Sequence, residues 1–123
     1  MKKQAALVAT ALGSVWFGAS ASAAENPRKL SGSQIRESLA GKQLTDGVHW
    51  RDVYDRDGTL RSYSDGKGRV GKWAVKNNEL CIYFNEPDDG CYEVIRSGER
   101  IEMKPAGLGL SIEGVIQPPT DRN

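Results

Sequence analysis

The side chains able to do chemistry are few, and their settings narrow what they can do. His49 is the only histidine, and Cys81 and Cys91 are the only cysteines. A lone imidazole cannot build the three- or four-ligand shell of a metal site, so His49 reads as structural. No serine has the G-x-S-x-G setting that presents a nucleophile. The segment Gly66-Lys67-Gly68-Arg69-Val70-Gly71 matches G-x-G-x-x-G, a motif that holds a pyrophosphate only where a helix follows. Here Lys72 to Lys76 alternate like a strand, so the segment reads as a hairpin turn. Asp55-Arg56-Asp57-Gly58 hints at a calcium loop. Aligning Gly58 with the loop glycine puts Val53 at the first ligand position, and two acids leave the ion undercoordinated. Neither a metal nor a cofactor is expected, and the chain reads as non-catalytic.

Two constellations are left. Asp52 lies between Trp50 and Tyr54 on a face that is otherwise apolar, and strand pairing is expected to bring it to Ser62 and Gly71. Acid, hydroxyl and absent side chain would form a polar gap in an aromatic wall. A buried carboxylate without partners is costly, so either an arginine or backbone amides satisfy it, or the interior opens there. On the opposite face Val53, Arg61, Lys72 and Tyr83 are expected in one row, beside a row of Arg51, Tyr63 and Val70. Arg51, Arg61, Tyr63, Lys72 and Tyr83 then form a basic-aromatic surface suited to an anionic, glycan or protein partner, unless a helix covers it.

The elements that must position these residues are one helix and a meander. Ser31 and Gln34 form a capping box, Leu30 can staple on Ile35, and Gly41 supplies a left-handed stop, which predicts a helix over Ser31 to Ala40. So short a helix must dock Ile35 and Leu39, on the barrel mouth or on the outer face. Asp46-Gly47, Asp57-Gly58, Asp65-Gly66, Asn77-Asn78, Asp89-Gly90 and Ser97-Gly98 then punctuate short antiparallel strands. The fold class is mainly β, a meander closing into a small barrel or sandwich. Turns at Arg56-Asp57-Gly58, Gly66-Lys67, Asn77-Asn78 and Gly98-Glu99, with Cys81 opposite Cys91, put Trp50, Tyr54, Leu60, Trp73, Val75, Leu80, Ile82, Phe84, Tyr92, Val94, Ile101 and Met103 on one face, the expected core. A slip of one residue at any turn would break this face.

The chain opens with Lys2-Lys3, an uncharged stretch from Ala5 to Gly18 and Ala21-Ser22-Ala23, the pattern of a cleaved export signal over residues 1–23. A periplasmic or secreted location follows, where a Cys81–Cys91 disulfide can persist. Removing the signal leaves 100 of the 123 residues, enough for one domain over 31–117, with a flexible segment at 24–30 and a tail at 118–123. Fifteen basic against sixteen acidic residues then remain, which argues against nucleic acid as a partner. The charge is uneven: seven basic and four acidic residues lie between Arg51 and Lys76, and five acidic with no basic from Glu79 to Glu93. No later apolar run is long enough for a membrane span, and a soluble monomer is expected.

The order of signal, capped helix ending in Leu39-Ala40-Gly41-Lys42, Trp50 to Tyr54, a D-G turn, Gly71-Lys72-Trp73, Leu80-Cys81 and Cys91-Tyr92 resembles a family of small exported alphaproteobacterial proteins of unknown function. That resemblance implies no activity and no site residues. The Leu39-Ala40-Gly41 approach to the first strand is also similar to that of periplasmic inhibitors of secreted metalloproteases. Their disulfide-bearing eight-stranded barrel follows a segment that enters the protease cleft, though their cysteines lie nearer the barrel start. The sequence therefore predicts a non-catalytic exported binding or accessory protein. The alternatives are an inhibitor of an exported hydrolase, or a small hydrolase-like enzyme using Asp52.

Overall fold

The computed structural model describes residues 26–120, so the export signal lies outside the described residues. Its elements run β1 (Arg28–Lys29), α1 (Gly32–Leu39), β2 (Lys42–Thr45), β3 (Trp50–Tyr54), β4 (Thr59–Ser64), β5 (Lys67–Lys76), β6 (Glu79–Tyr83), β7 (Gly90–Ser97), β8 (Arg100–Pro105) and β9 (Ile112–Gln117). From β2 onward each strand pairs antiparallel with the next, and β9 returns to β2, closing an eight-stranded barrel. Closure leaves none of these eight strands as a free edge.

Turn chemistry sets the register. Gly58 sits at φ 96° and the β3–β4 turn pairs Tyr54 with Leu60, as expected. Asn77 and Asn78 both adopt positive φ, and Trp73 stands opposite Ile82 and Val75 opposite Leu80. Leu80 faces Tyr92, Cys81 faces Cys91 and Val94 faces Met103, again as expected. The β4–β5 turn differs. Its two turn residues are Asp65 and Gly66, at φ 53° and 79°, not Gly66 and Lys67. An Asp-Gly pair suits the left-handed positions of a type I′ turn better than Gly-Lys does. The pairing moves by two residues, so every side chain keeps its face but changes its neighbour: Leu60 meets Gly71, and Ser62 meets Arg69.

All twelve residues of the expected core belong to the interior cluster, though Trp50, Val75, Ile82, Phe84 and Tyr92 are only partly buried. Leu30, Ile35, Leu39, Leu44 and Ile116 join them. The sequence reading passed over Leu44 and Ile116 because β2 and β9 lie outside the run of turns that fixed the register.

Ser31 caps α1 and forms the reciprocal capping box with Gln34. Ile35 and Leu39 are both fully buried in the barrel core, so the helix plugs one end and does not cover the outer wall. Three contacts pin it there. Asn78 Oδ1 accepts from the Gly32 N–H at 2.7 Å, Arg96 Nη1 donates to Ser38 Oγ at 2.9 Å, and the Gly41 N–H donates to the Tyr54 carbonyl at 2.7 Å. The segment expected to be flexible at 24–30 is engaged at its end: Arg28 and Lys29 pair with β7, and Leu30 is buried. At the other terminus Thr120 donates to Gln43 through its N–H and its hydroxyl, at 3.0 and 3.2 Å.

The turns β3–β4, β5–β6 and β7–β8 therefore gather at the helix end. Those joining β2–β3, β4–β5, β6–β7 and β8–β9 surround the other mouth. Inner side chains near the helix, such as Leu60, Leu80 and Val94, are fully buried, whereas Trp50, Ile82, Phe84 and Tyr92 toward the other mouth are not. That mouth is the open one.

Candidate functional site: the outer wall and the open mouth

The residues expected to form a basic-aromatic surface in two neighbouring rows all point outward, but the rows break between β4 and β5. Arg51 stands opposite Tyr63, and Tyr63 opposite Gly68. The Tyr63 ring lies over Gly68, where a Cβ would come within 3.1 Å of it. The Arg51 guanidinium sits 4.1 Å from the Tyr63 ring centroid, a cation–π stack. Its hydrogen bond is to Gln43 Oε1 at 3.5 Å, and no carboxylate pairs with it among the described residues.

Arg61 is committed elsewhere. Its Nε and Nη2 each donate to Asp55 at 2.9 Å, and these bonds push its pKa up. Arg61 stands opposite Val53 and Val70, not Lys72, a direct result of the β4–β5 register. Lys72 faces Thr59 and Tyr83, and it lines a separate hollow of about 350 Å³ with Tyr83 and Asp57. Lys76 Nζ lies 5.4 Å from the Tyr83 ring centroid. The wall thus splits into an Arg51–Tyr63 site, an internally neutralised Arg61, and a Lys72–Tyr83 hollow. Val53 is buried although it points outward from β3.

Beside the Arg51–Tyr63 stack runs a cleft of about 220 Å³, lined by Val48, His49, Trp50, Ser64 and the Asp65–Gly66 turn. Its β2–β3 loop is built by Asp46. The carboxylate accepts the N–H groups of Val48, His49 and Trp50 at 2.9, 2.7 and 3.1 Å, and His49 Nδ1 lies 2.9 Å away. Desolvation opposes ionisation, but these donors together hold the Asp46 carboxyl well below the usual carboxylate range. The negative charge of Asp46 is therefore spent inside its own loop. Val48 is left 79% exposed at the rim.

The expected polar gap exists with one member changed. Ser62 Oγ donates to Asp52 Oδ1 at 2.6 Å, and the third residue of the row is Arg69, not Gly71. Burial raises the Asp52 pKa, and the Ser62 bond and the charge of Arg69 work against that rise. Arg69 lies 3.9 Å over the Phe84 ring and pairs with Glu86. Gly71 makes room for Phe84: a Cβ there would come 2.5 Å from the ring and 2.4 Å from the Tyr83 carbonyl. Asp89 accepts the N–H groups of Phe84, Asn85 and Glu86 and so holds the loop in shape.

Deeper in, the Tyr54 hydroxyl is fully buried with no hydrogen-bond partner. Burial pushes its pKa well up, and Asp52 and Tyr92 add to the effect. Ser62 donates a hydrogen bond to the carboxylate and burial holds the Tyr54 phenol neutral, so the row can bind or orient a polar group.

Cys81 and Cys91 form a disulfide between β6 and β7, on strand positions facing away from Leu80 and Tyr92. Among the described residues no three or more His, Cys, Asp or Glu side chains gather as a metal site, and no helix is long and apolar enough to cross a membrane. Sequence reasoning missed Arg69 and the Asp46 loop. The first was legible in the choice of Asp65-Gly66 over Gly66-Lys67. The second was legible as an Asx turn opening at Asp46. No family model, curated protein or solved structure matches the chain, so no residue role is carried into these sites from a known protein.

Proposed function

We propose that this protein is a small exported, non-catalytic binding module whose outer wall holds an anionic group of a partner in the cell envelope. One observation carries this reading: Arg51 is fixed on Tyr63 and Gln43, beside a cleft, with no counter-charge among the described residues. An arginine held in place by stacking has already lost much of its rotamer freedom, so it offers planar donors to a carboxylate or phosphate at reduced entropic cost. Export supplies the compartment, through the signal pattern at the start of the chain. The inhibitor reading requires a free, extended segment ahead of the barrel. Residues 28–31 are instead paired with β7, buried, or engaged in the helix cap, so the wall is the better-supported surface.

The test is site-specific photo-crosslinking in cells. A benzophenone residue replaces Val70, which is 69% exposed on the wall, or Lys104, which is exposed on β8 on the far side of the barrel. The wall position should give a discrete adduct that Arg51→Glu removes, and the β8 position should not. Equal adducts at both positions, or an adduct indifferent to Arg51→Glu, would overturn the reading.

A further inference from the structure

The described strands contain four glycines, and three of them seat an aromatic ring. Gly68 seats Tyr63, Gly71 seats Phe84, and Gly114 seats Trp50, whose ring would lie 3.0 Å from an added Cβ. The fourth, Gly90, opposes Ile82 on the inner face of β7, and a Cβ placed on it would meet no atom within 4 Å. Gly90 therefore leaves open space on the inner face at the open mouth, with no ring of this chain seated on it. In an eight-membered ring of strands β7 lies across from β3, so Asp52 stands on the facing wall. Tyr54 follows Asp52 on the same inner face of β3, one step nearer the helix, and its hydroxyl is buried without a partner.

The turns and loops around this mouth are acidic. Apart from Asp46, whose charge is spent in its own loop, they carry Asp65, Glu86, Asp88 and Asp89 and no lysine or arginine, and Lys67 opens β5 beside them. Arg69, reaching in from β5, is paired with Glu86. A carboxylate inside an acidic, aromatic-lined mouth attracts cations by field and by ring quadrupole, and leaves an anion no partner.

We infer that the open mouth binds a small aromatic amine, with its ring on Gly90 beside Tyr92 and its ammonium group on Asp52. This site is separate from the Arg51 wall and does not depend on it, because the two use opposite faces of β3 and opposite charge.

The test titrates the ¹⁵N-labelled mature chain with 2-phenylethylamine and with 2-phenylethanol, which has the same shape and no charge. The amine should shift the Gly90, Phe84 and Asp52 amides saturably, with an affinity at least about tenfold above the alcohol. Asp52→Asn should erase that preference. Gly90→Leu fills the seat from a position with no strained backbone, and should abolish the shifts while the protein stays folded, so the test holds even if the Asp52 variant misfolds. No saturable shift at Gly90, equal binding of amine and alcohol, or normal binding by Gly90→Leu would each overturn the inference.

Discussion

Outside the barrel Tyr63 lies on Gly68 with Arg51 above it, and at the mouth Phe84 lies on Gly71 with Arg69 above it. Both stacks use the same device, a glycine that lets a ring lie flat on the sheet and an arginine that covers the ring. They differ in counter-charge. Arg69 is paired with Glu86, whereas Arg51 has a single amide oxygen, that of Gln43. A guanidinium on a ring gains roughly 0.5–1 kcal/mol where exposed and more where dried. That is enough to fix the group, and too little to satisfy its charge. The neutralised stack closes a rim, and the unneutralised one is left to attract a partner. Alternation along one strand makes the pair possible: Arg51 and Asp52 are neighbours in sequence and face opposite sides of the barrel wall.

The largest expected effect removes the support under both stacks. Ile35→Ser with Leu39→Ser strips two fully buried side chains from the plug, and a loss of about 4 kcal/mol or more is expected in urea denaturation. Near-normal stability would show that the barrel stands without its helix. Next comes the disulfide, which closes a sequence separation of 10 between the strands that flank the mouth loop. Replacing both cysteines by alanine should cost about 2–3 kcal/mol. In the protein purified under oxidising conditions, thiol counting after denaturation should find none free.

The two glycine seats separate the stacks directly. Gly71→Ala drives its Cβ to 2.4 Å from a backbone carbonyl, so the strand itself must shift, at a cost of about 1–3 kcal/mol. Gly68→Ala meets only the Tyr63 ring at 3.1 Å, which can tilt, and the strand gains some rigidity in exchange. Its melting temperature should stay near that of the parent while the Arg51 stack loosens. Matching losses in the two variants would mean that the seats are equivalent and that the contrast drawn from them is wrong.

A smaller effect concerns pH. An acid whose native pKa is raised favours folding below its unfolded value, and that favour is lost as pH rises through the native value. Asp52 is such an acid, and an asparagine in its place would mimic the protonated form at every pH. Asp52→Asn should therefore match the parent below about pH 3.8 and melt progressively higher than it as pH rises above that value. A variant less stable than the parent at neutral pH would show that the carboxylate is better satisfied than its Ser62 bond implies. The smallest effect is that of Arg51→Gln on stability, within about 0.5 kcal/mol, because a stacked surface arginine contributes little to folding.

The barrel was legible in the sequence because its turns are chemically explicit. Asn77-Asn78 and Gly98-Glu99 admit one pairing each, and the inward face they predict is the observed one. The β4–β5 hairpin was harder. Asp65-Gly66-Lys67 offers two overlapping two-residue turns that keep the same faces, so the hydrophobic pattern cannot choose between them. That two-residue shift put Gly71 where Arg69 belongs and aligned Lys72 with Arg61. The helix position was open for a similar reason. Its capping box fixes where it starts, but Ile35 and Leu39 fit an outer face as well as a barrel end. The roles of Gly68 and Gly71 are ring seats, and a ring seat is a contact between strands that no single segment encodes.

The central claim is that the wall carries an available cation and the mouth stack does not. It is tested most directly by titrating the ¹⁵N-labelled mature protein with a tetraglutamate peptide and following amides together with arginine Nε–H signals. The account predicts shifts at Arg51, Tyr63 and Gly68, weakening as salt is raised and absent in Arg51→Gln, with Arg69 and Phe84 unmoved. Shifts centred on Arg69 and Phe84, or a response that survives Arg51→Gln, would contradict it.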